Sequence, residues 1–170
     1  MGTFYDKIIE KQAALIAEAK MFFVASTAQS HTESGSGAGP VNVSPKGASS
    51  LTIVNDNTVA FLDFPGSGNE TARHARAGGD VTVMVMACGE SDAAIVRLYG
   101  KGRVLPIDDS PLAKSLLATA RSSIFIKPRQ IIEVSVHKTQ TSCGYGVPVV
   151  EFVRERGQEE CGRRFKDPKK

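Results

Sequence analysis

From residue 21 to residue 139 the chain returns repeatedly to short apolar runs rich in β-branched residues: MFFVAST, PVNVSP, SLTIV, TVAFLD, VTVMVMAC, AAIVRLYGKGRVLP and QIIEVSVHKT. Parallel strands need a crossover of a dozen or more residues, usually a helix, so segments this closely spaced pair mostly antiparallel. Asn55-Asp56-Asn57, between SLTIV and TVAFLD, are residues that tolerate positive φ and predict a tight hairpin. Gly100 and Gly102, inside a long strand, predict the bulge or bend that lets a sheet curl. The expected fold is mainly β with peripheral helices: about six antiparallel strands in a small closed or half-closed barrel.

Helical signals are few. Over residues 5–20 the apolar positions Tyr5, Ile8, Ile9, Leu15, Ile16 and Ala19 fall at helical spacing with charges between them, which predicts an amphipathic packing helix. A short helix is expected at residues 111–121, with Ser110 as N-cap and Pro111 in the first turn. A third is expected to start at Asn69. The Gly/Ser-rich stretch AQSHTESGSGAGP reads as a loop. Strands alternating with long helices, which a dinucleotide-binding fold requires, are missing from the pattern.

A length of 170 residues with 41% hydrophobic content suits one domain with a proper core. The net charge of +3 is small and gathers in RRFKDPKK, a solvated tail and not a patterned face, so no nucleic-acid partner is expected. Three unclustered cysteines, Cys88, Cys143 and Cys161, suggest neither a disulfide framework nor a zinc site. No two of the three histidines share metal-ligand spacing, and no metal is expected. The opening MGTFYDKIIEKQ lacks an apolar signal core and no run is long enough to span a bilayer, so the expectation is a cytoplasmic protein with no membrane partner.

Four places could carry chemistry. In FPGSGNETARH, Gly66 and Gly68 can turn backbone N–H groups toward one point, Asn69 can cap a helix and Glu70 suits its first turn; the result is either an anion seat or a simple corner. In VNVSPKG, Ser44 and Lys46 place a hydroxyl and a flexible cation at a strand end, although the spacing is not that of a phosphate-binding P-loop. Arg97 and Tyr99 share one face of their strand and Leu98 the other, and a cation in so apolar a strand needs a ligand, a carboxylate or a dimer mate. In TSCGYGVP, Tyr145 between two glycines could offer its ring to a planar ligand, while Cys143 has no activating neighbour in sequence and reads as a small apolar residue.

Taken in order, VNVSPKG, FLDFPGSGNETARHARAGGDVTVM, IVRLYGKGRVL and TSCGYGVP resemble the pyridoxamine 5′-phosphate oxidase-like family of FMN-binding split barrels, most closely its short branch. The resemblance covers roughly residues 5–152, with GSGNET and RLYGKG its most specific pieces. It implies a six-stranded antiparallel split barrel over residues 1–152 followed by a polar basic tail at 153–170. It also implies a homodimer with FMN at the subunit interface, and a redox reaction on a small-molecule substrate. Val43, Ser44 and Lys46 would then run beside the flavin, Leu62, Asp63, Asn69, Glu70 and Thr71 would lie near its phosphate, and Arg97 would reach across the dimer. Two departures stand out. The oxidase grips the phosphate with an Arg-Lys pair where this chain has Glu70 and Thr71. Its closing Arg-Leu-His-Asp-Arg-like substrate motif is replaced by EFVRERGQEECGRRFKDPKK. Vitamin B6 oxidation is therefore the less favoured alternative, beside a non-catalytic module that holds flavin, deazaflavin or haem, or no cofactor.

Overall fold

The structure is a computed structural model that describes residues 2–28, 40–66, 69–90, 93–121, 126–157 and 160. Its elements, in chain order, are β1 (Thr3–Tyr5), α1 (Glu10–Glu18), β2 (Phe22–Thr27), β3 (Val41–Lys46), β4 (Thr52–Asn55), β5 (Thr58–Asp63), α2 (Glu70–Arg76), β6 (Asp80–Met86), β7 (Ala94–Leu105), α3 (Ala113–Leu117) and β8 (Gln130–Cys143). The predicted loop AQSHTESGSGAGP falls almost wholly outside the described residues.

All pairings are antiparallel, in one sheet ordered β3-β2-β6-β7-β8-β5-β4, with β1 on the far part of β8. The sheet has eight strands and not the expected six. Each apolar run forms its own strand, and Thr3–Tyr5, too short to stand out in sequence, adds another by pairing with residues 139–141. The path is also open, with β3 and β4 as its ends, so the barrel is split and not closed.

Three local expectations change with this. The helix predicted over residues 5–20 shortens to Glu10–Glu18, because its start is drawn into β1 and the Gln12 carboxamide oxygen accepts the Ile9 N–H at 3.2 Å. The helix expected over residues 111–121 is α3, which begins at Ala113 and not at Pro111. Ser110 still organises its entry by accepting the Leu112 N–H at 3.3 Å on Oγ, and Thr119 Oγ1 ends it by donating to the Leu116 carbonyl at 2.7 Å. The β4–β5 hairpin forms where predicted but for another reason. Among the described residues, Asn69 alone of the non-glycines has positive φ. The turn is held instead by side chains: Asn55 Oδ1 accepts the Asn57 N–H at 2.9 Å, and Asn57 Nδ2 donates to the carbonyls of Asp6 and Val136.

Gly100 does the work its position predicted. The β7–β8 register shifts between Tyr99 and Gly100, and a Cβ there would run into the Ser135 carbonyl. The bend lets the first part of β7 pair with β6 while its second part lines up with the start of β8. Inside, Val24, Phe61, Val83, Leu98, Ile132 and Val134 form the main core, where the Phe22 and Phe61 rings meet edge to face at 5.3 Å. A second cluster of Ala60, Leu62, Leu116 and Ile131 lies under α3, so β5 is buried on both faces.

Cross-strand partners share a face of the sheet. Val43 opposite Ala25, Phe23 opposite Met84 and Met84 opposite Arg97 therefore mark one outward surface. On it Val41 and Val43 are each 63% exposed.

Candidate functional site

The polar interior begins on the edge strand. β3 alternates, turning Val41, Val43 and Pro45 outward and Asn42, Ser44 and Lys46 inward, where Asn42 lies opposite buried Ser26 and Lys46 opposite buried Phe22. Asn42 Nδ2 donates to Thr71 Oγ1 at 3.2 Å, tying β3 to the first turn of α2, and to Ser44 Oγ at 3.1 Å. Lys46 reaches across the split, its Nζ 3.4 Å from Asp63 Oδ1 at the end of β5.

Asp63 is the hub. It is buried, and its Oδ2 accepts hydrogen bonds from Arg129 and from the Gln130 carboxamide, both at 2.8 Å. The β5–β8 register produces this cluster: Asp63 sits opposite Gln130, and the Arg129 N–H donates to the Asp63 carbonyl at 2.8 Å. Gln130 extends the network, its Nε2 2.9 Å from Asn69 Oδ1 and its Oε1 accepting from Arg76 at 2.8 Å. Lys46 and Arg129 thus pair with one carboxylate and Arg76 joins it through Gln130, so this network carries net positive charge.

Asn69 is at the N-cap position but does not cap with its side chain. Its φ of 73° is in the left-handed region that Asn tolerates, and this backbone directs the amide oxygen to Gln130. The donors of the first helical turn are therefore left without that cap. Glu70 is half-buried in this turn, and Thr71 is buried. Gly66 has open space where a Cβ would stand, so no close approach requires a glycine there; Gly68 lies outside the described residues. On the next turn Arg73 Nε is buried with no hydrogen-bond partner among the described residues, as is Nε2 of buried His74, whose Nδ1 lies 2.9 Å from Ser26 Oγ.

Of the residues expected around a flavin, Ser44, Lys46, Asp63, Asn69 and Thr71 are brought together, with Glu70 beside them. The others are placed elsewhere. Leu62 is buried in the cluster under α3, facing away from the network. Val43 points outward, as does Arg97, whose guanidinium donates to Ser142 Oγ at 2.9 Å. Tyr145 is 93% exposed, just past the end of β8 opposite to Gln130, separated from it by roughly 40 Å of extended strand. Sequence reading missed Arg129 and Gln130; the signal was KPRQ, a cation and an amide placed where a loop becomes a strand.

Cations in excess of carboxylates, and a hydroxyl and amide on the adjoining strand, suit a phosphate monoester with a polar chain attached. The residues present fit FMN. A separate cavity of about 860 Å³ opens beyond the ends of β2 and β6 that lie away from α2, between α1 and residues 150–156, and no residue expected at the flavin lines it.

No protein-family model matches the chain. Among curated proteins, a pyridoxamine 5′-phosphate oxidase family protein of Aspergillus flavus, ustO, is 31% identical over 154 residues, which is 89% of this chain. The chain spans 58% of that relative's length. Three solved structures share the fold. A Lactobacillus delbrueckii protein assigned as a pyridoxamine 5′-phosphate oxidase has a TM-score of 0.55 and 18% identity, covering 79% of this chain and 94% of its own. An FMN-binding protein of Syntrophomonas wolfei has a TM-score of 0.57 and 14% identity, covering 83% and 84%. The FAD-binding protein of Mycobacterium smegmatis has a TM-score of 0.51 and 14% identity, covering 81% and 97%. Likeness in sequence and likeness in fold agree: the chain is similar to a pyridoxamine 5′-phosphate oxidase family protein and shares the split-barrel fold of these structures.

Proposed function

We propose that the chain is a flavin-binding protein, a homodimeric FMN-dependent oxidoreductase acting on a small molecule. The observation that carries the flavin reading is the cationic cluster around Asp63, set beside the polar face of β3. Lys46 and Arg129 hold the FMN phosphate, taking the place of the Arg-Lys pair that Glu70 and Thr71 replace. Helix α2 has only seven residues and adds little by its dipole, so side-chain cations carry the seat. Asn42 and Ser44 orient the ribityl chain or ring by hydrogen bonding. Asp63 keeps the two cations in place and gives up part of their charge when the phosphate binds. A bound flavin supplies the hydride or electron chemistry, and the protein supplies position and electrostatics. The outward face carrying Val41, Val43 and Arg97 supports the dimer. The unpaired thiols of Cys88 and Cys143 support a reducing, cytoplasmic setting.

The test compares FMN with riboflavin, which lacks the phosphate, in fluorescence titrations of flavin-free protein. Lys46→Ala and Arg129→Ala are each expected to weaken FMN binding about 10- to 100-fold, the range of a lost charge-assisted hydrogen bond, and to leave riboflavin binding unchanged. Failure of the wild-type protein to bind either FMN or FAD sinks the flavin reading; equal losses for FMN and riboflavin move the phosphate elsewhere. A second reading, FAD in place of FMN, is favoured by the FAD-binding protein of Mycobacterium smegmatis among the fold neighbours, and titration with both flavins decides between them.

A further inference from the structure

The cavity between α1 and residues 150–156 is distinct from the Asp63 cluster. Its walls explain why the chain leaves it open. Ala14 of α1 and Ala19 just past its end face it, with Gly47, Ala48, Ala87 and Ala94 contributing from strand ends. Side chains this small cannot meet across the gap, whereas protein interiors are otherwise filled to crystal-like density. Larger apolar groups line the same space without being buried by it: Met21 is 45% exposed, Phe152 50% and Val150 52%. Half-exposed apolar side chains gathered on a concave wall mark a ligand surface more often than a solvated one. A volume of about 860 Å³ lies within the range of small-molecule sites, and is several times that of a benzene-sized hole.

The frame is rigid enough to hold a ligand. The Val150 N–H donates to the Cys88 carbonyl at 2.7 Å, fixing the C-terminal segment to the end of β6. Arg121 pairs with Glu155 at 3.0 Å, lies 5.7 Å from the centre of the Phe152 ring and donates to the Lys20 carbonyl. Gln12 is buried beside the cavity with its amide donating to Thr141 Oγ1 at 3.0 Å, so its polar atoms are engaged and leave the floor effectively apolar. Lys20 and Arg121 line one edge together; Glu155, paired with Arg121, and Glu18 and Glu151 also line the cavity, but with Lys11 and Arg156 its cations exceed its carboxylates, four to three.

From these features we infer that the cavity binds a largely apolar small molecule, the size of a fused-ring system or medium acyl chain, that carries a single anionic group directed to the Lys20–Arg121 edge. The inference is independent of the flavin reading. Its probe is 8-anilinonaphthalene-1-sulfonate, two aromatic units with one sulfonate. The wild-type protein is expected to bind one molecule per chain saturably, with the fluorescence gain of an apolar site. Ala14→Trp, which fills the cavity from α1, is expected to weaken binding at least about tenfold, whereas Ala17→Trp, on an exposed part of the same helix outside the lining, leaves it unchanged. Non-saturable binding to the wild type, or equal binding by Ala14→Trp, overturns the assignment. A second measurement does not depend on how Ala14→Trp folds. Cys88 lines the cavity, and in a Cys143→Ser, Cys161→Ser background saturating probe is expected to slow its reaction with a disulfide reagent about tenfold by occupying the site. An unchanged rate overturns the inference equally.

Discussion

Asp63 decides most of what happens at the split. Its carboxylate is buried, while the Lys46 and Arg129 side chains that it pairs with stay 24% and 30% exposed, so water tempers the cost of separating them. Replacing one partner of a fully buried pair costs about 3–5 kcal/mol, and the partly wet geometry here lowers the expected loss for Asp63→Asn to about 1–3 kcal/mol. A lower urea midpoint with an unchanged slope is the signature. The same substitution frees the two cations, so FMN affinity should rise while stability falls; a fall in both would mean that Asp63 positions the flavin and does not compete with it. Lys46 and Asp63 were each legible in the sequence, one as a cation at a strand end and the other as the polar close of an apolar run. Their pairing was not, because it spans 17 residues and depends on two strands that do not pair with each other. Arg129 and Gln130 were missed for a related reason: KPRQ marks a cation and an amide at a strand start, but nothing local in it shows that the β5–β8 register sets Gln130 opposite Asp63.

At the scale of elements, α2 is positioned by glycines at its end more than by a cap at its start. Gly78 takes φ 77°, its N–H donates to the Ala75 carbonyl, and the Gly79 N–H donates to the His74 carbonyl, the bonding of a Schellman close. Gly102 lets the helix settle onto β7, since a Cβ there would come within 2.9 Å of Ala75 Cβ. Gly100 is more demanding, because the obstacle is the Ser135 backbone and no side chain can swing away. Gly100→Ala is expected to lose at least about 2 kcal/mol and to broaden the amide spectrum of β7 and β8, whereas Gly66→Ala, facing open space, should change stability by less than about 0.5 kcal/mol. The bend at Gly100 could be read from the sequence because glycine inside an apolar strand has few other uses. The start of α2 at Asn69 was legible too, but not that Asn69 leaves the helix uncapped, since its side chain is recruited by Gln130 from across the fold.

The C-terminal segment has its own pH signature. The Glu160 carboxyl is lowered to about 2 by the Arg154 guanidinium bonded to it and by the Gly157 N–H. A carboxylate depressed in the folded state favours that state above the unfolded value of 4.5, and the advantage is lost as pH falls from there toward 2. Carboxyl NMR titration should therefore show Glu160 ionised at pH 3.5, with the local contact to Arg154 dissolving only below that. Titration at the ordinary value would mean that the contact is not kept in solution.

The whole molecule is a sheet wound around one core with a gap between β3 and β4, and its topology was legible in outline. Antiparallel pairing followed from short connections, but Val43 was grouped with Ser44 and Lys46, and the alternation of β3 puts it on the opposite face. What the alternation could not say is which face belongs to the protein's own interior, because both carry residues suited to contact: Asn42, Ser44 and Lys46 on one, Val41 and Val43 on the other. The structure turns the polar set inward, half-buried, and leaves the apolar set outside, an inversion of the usual arrangement that makes sense when a second molecule covers the outside. A stable dimer buries about 800 Å² per partner, and such an interface is sensitive to a charge placed near its centre. Val43→Glu is expected to convert a wild-type dimer to monomer in sedimentation velocity while the melting temperature of the fold, read at low concentration, moves little, because the side chain is already 63% exposed within the chain. Val54→Glu, on β4 at the other end of the sheet path, should remain dimeric. If FMN is held where two subunits meet, Val43→Glu should also lose flavin although it touches none of the Asp63 cluster. A dimer that survives Val43→Glu places the interface elsewhere, and a monomer that keeps its flavin places the whole site within one chain.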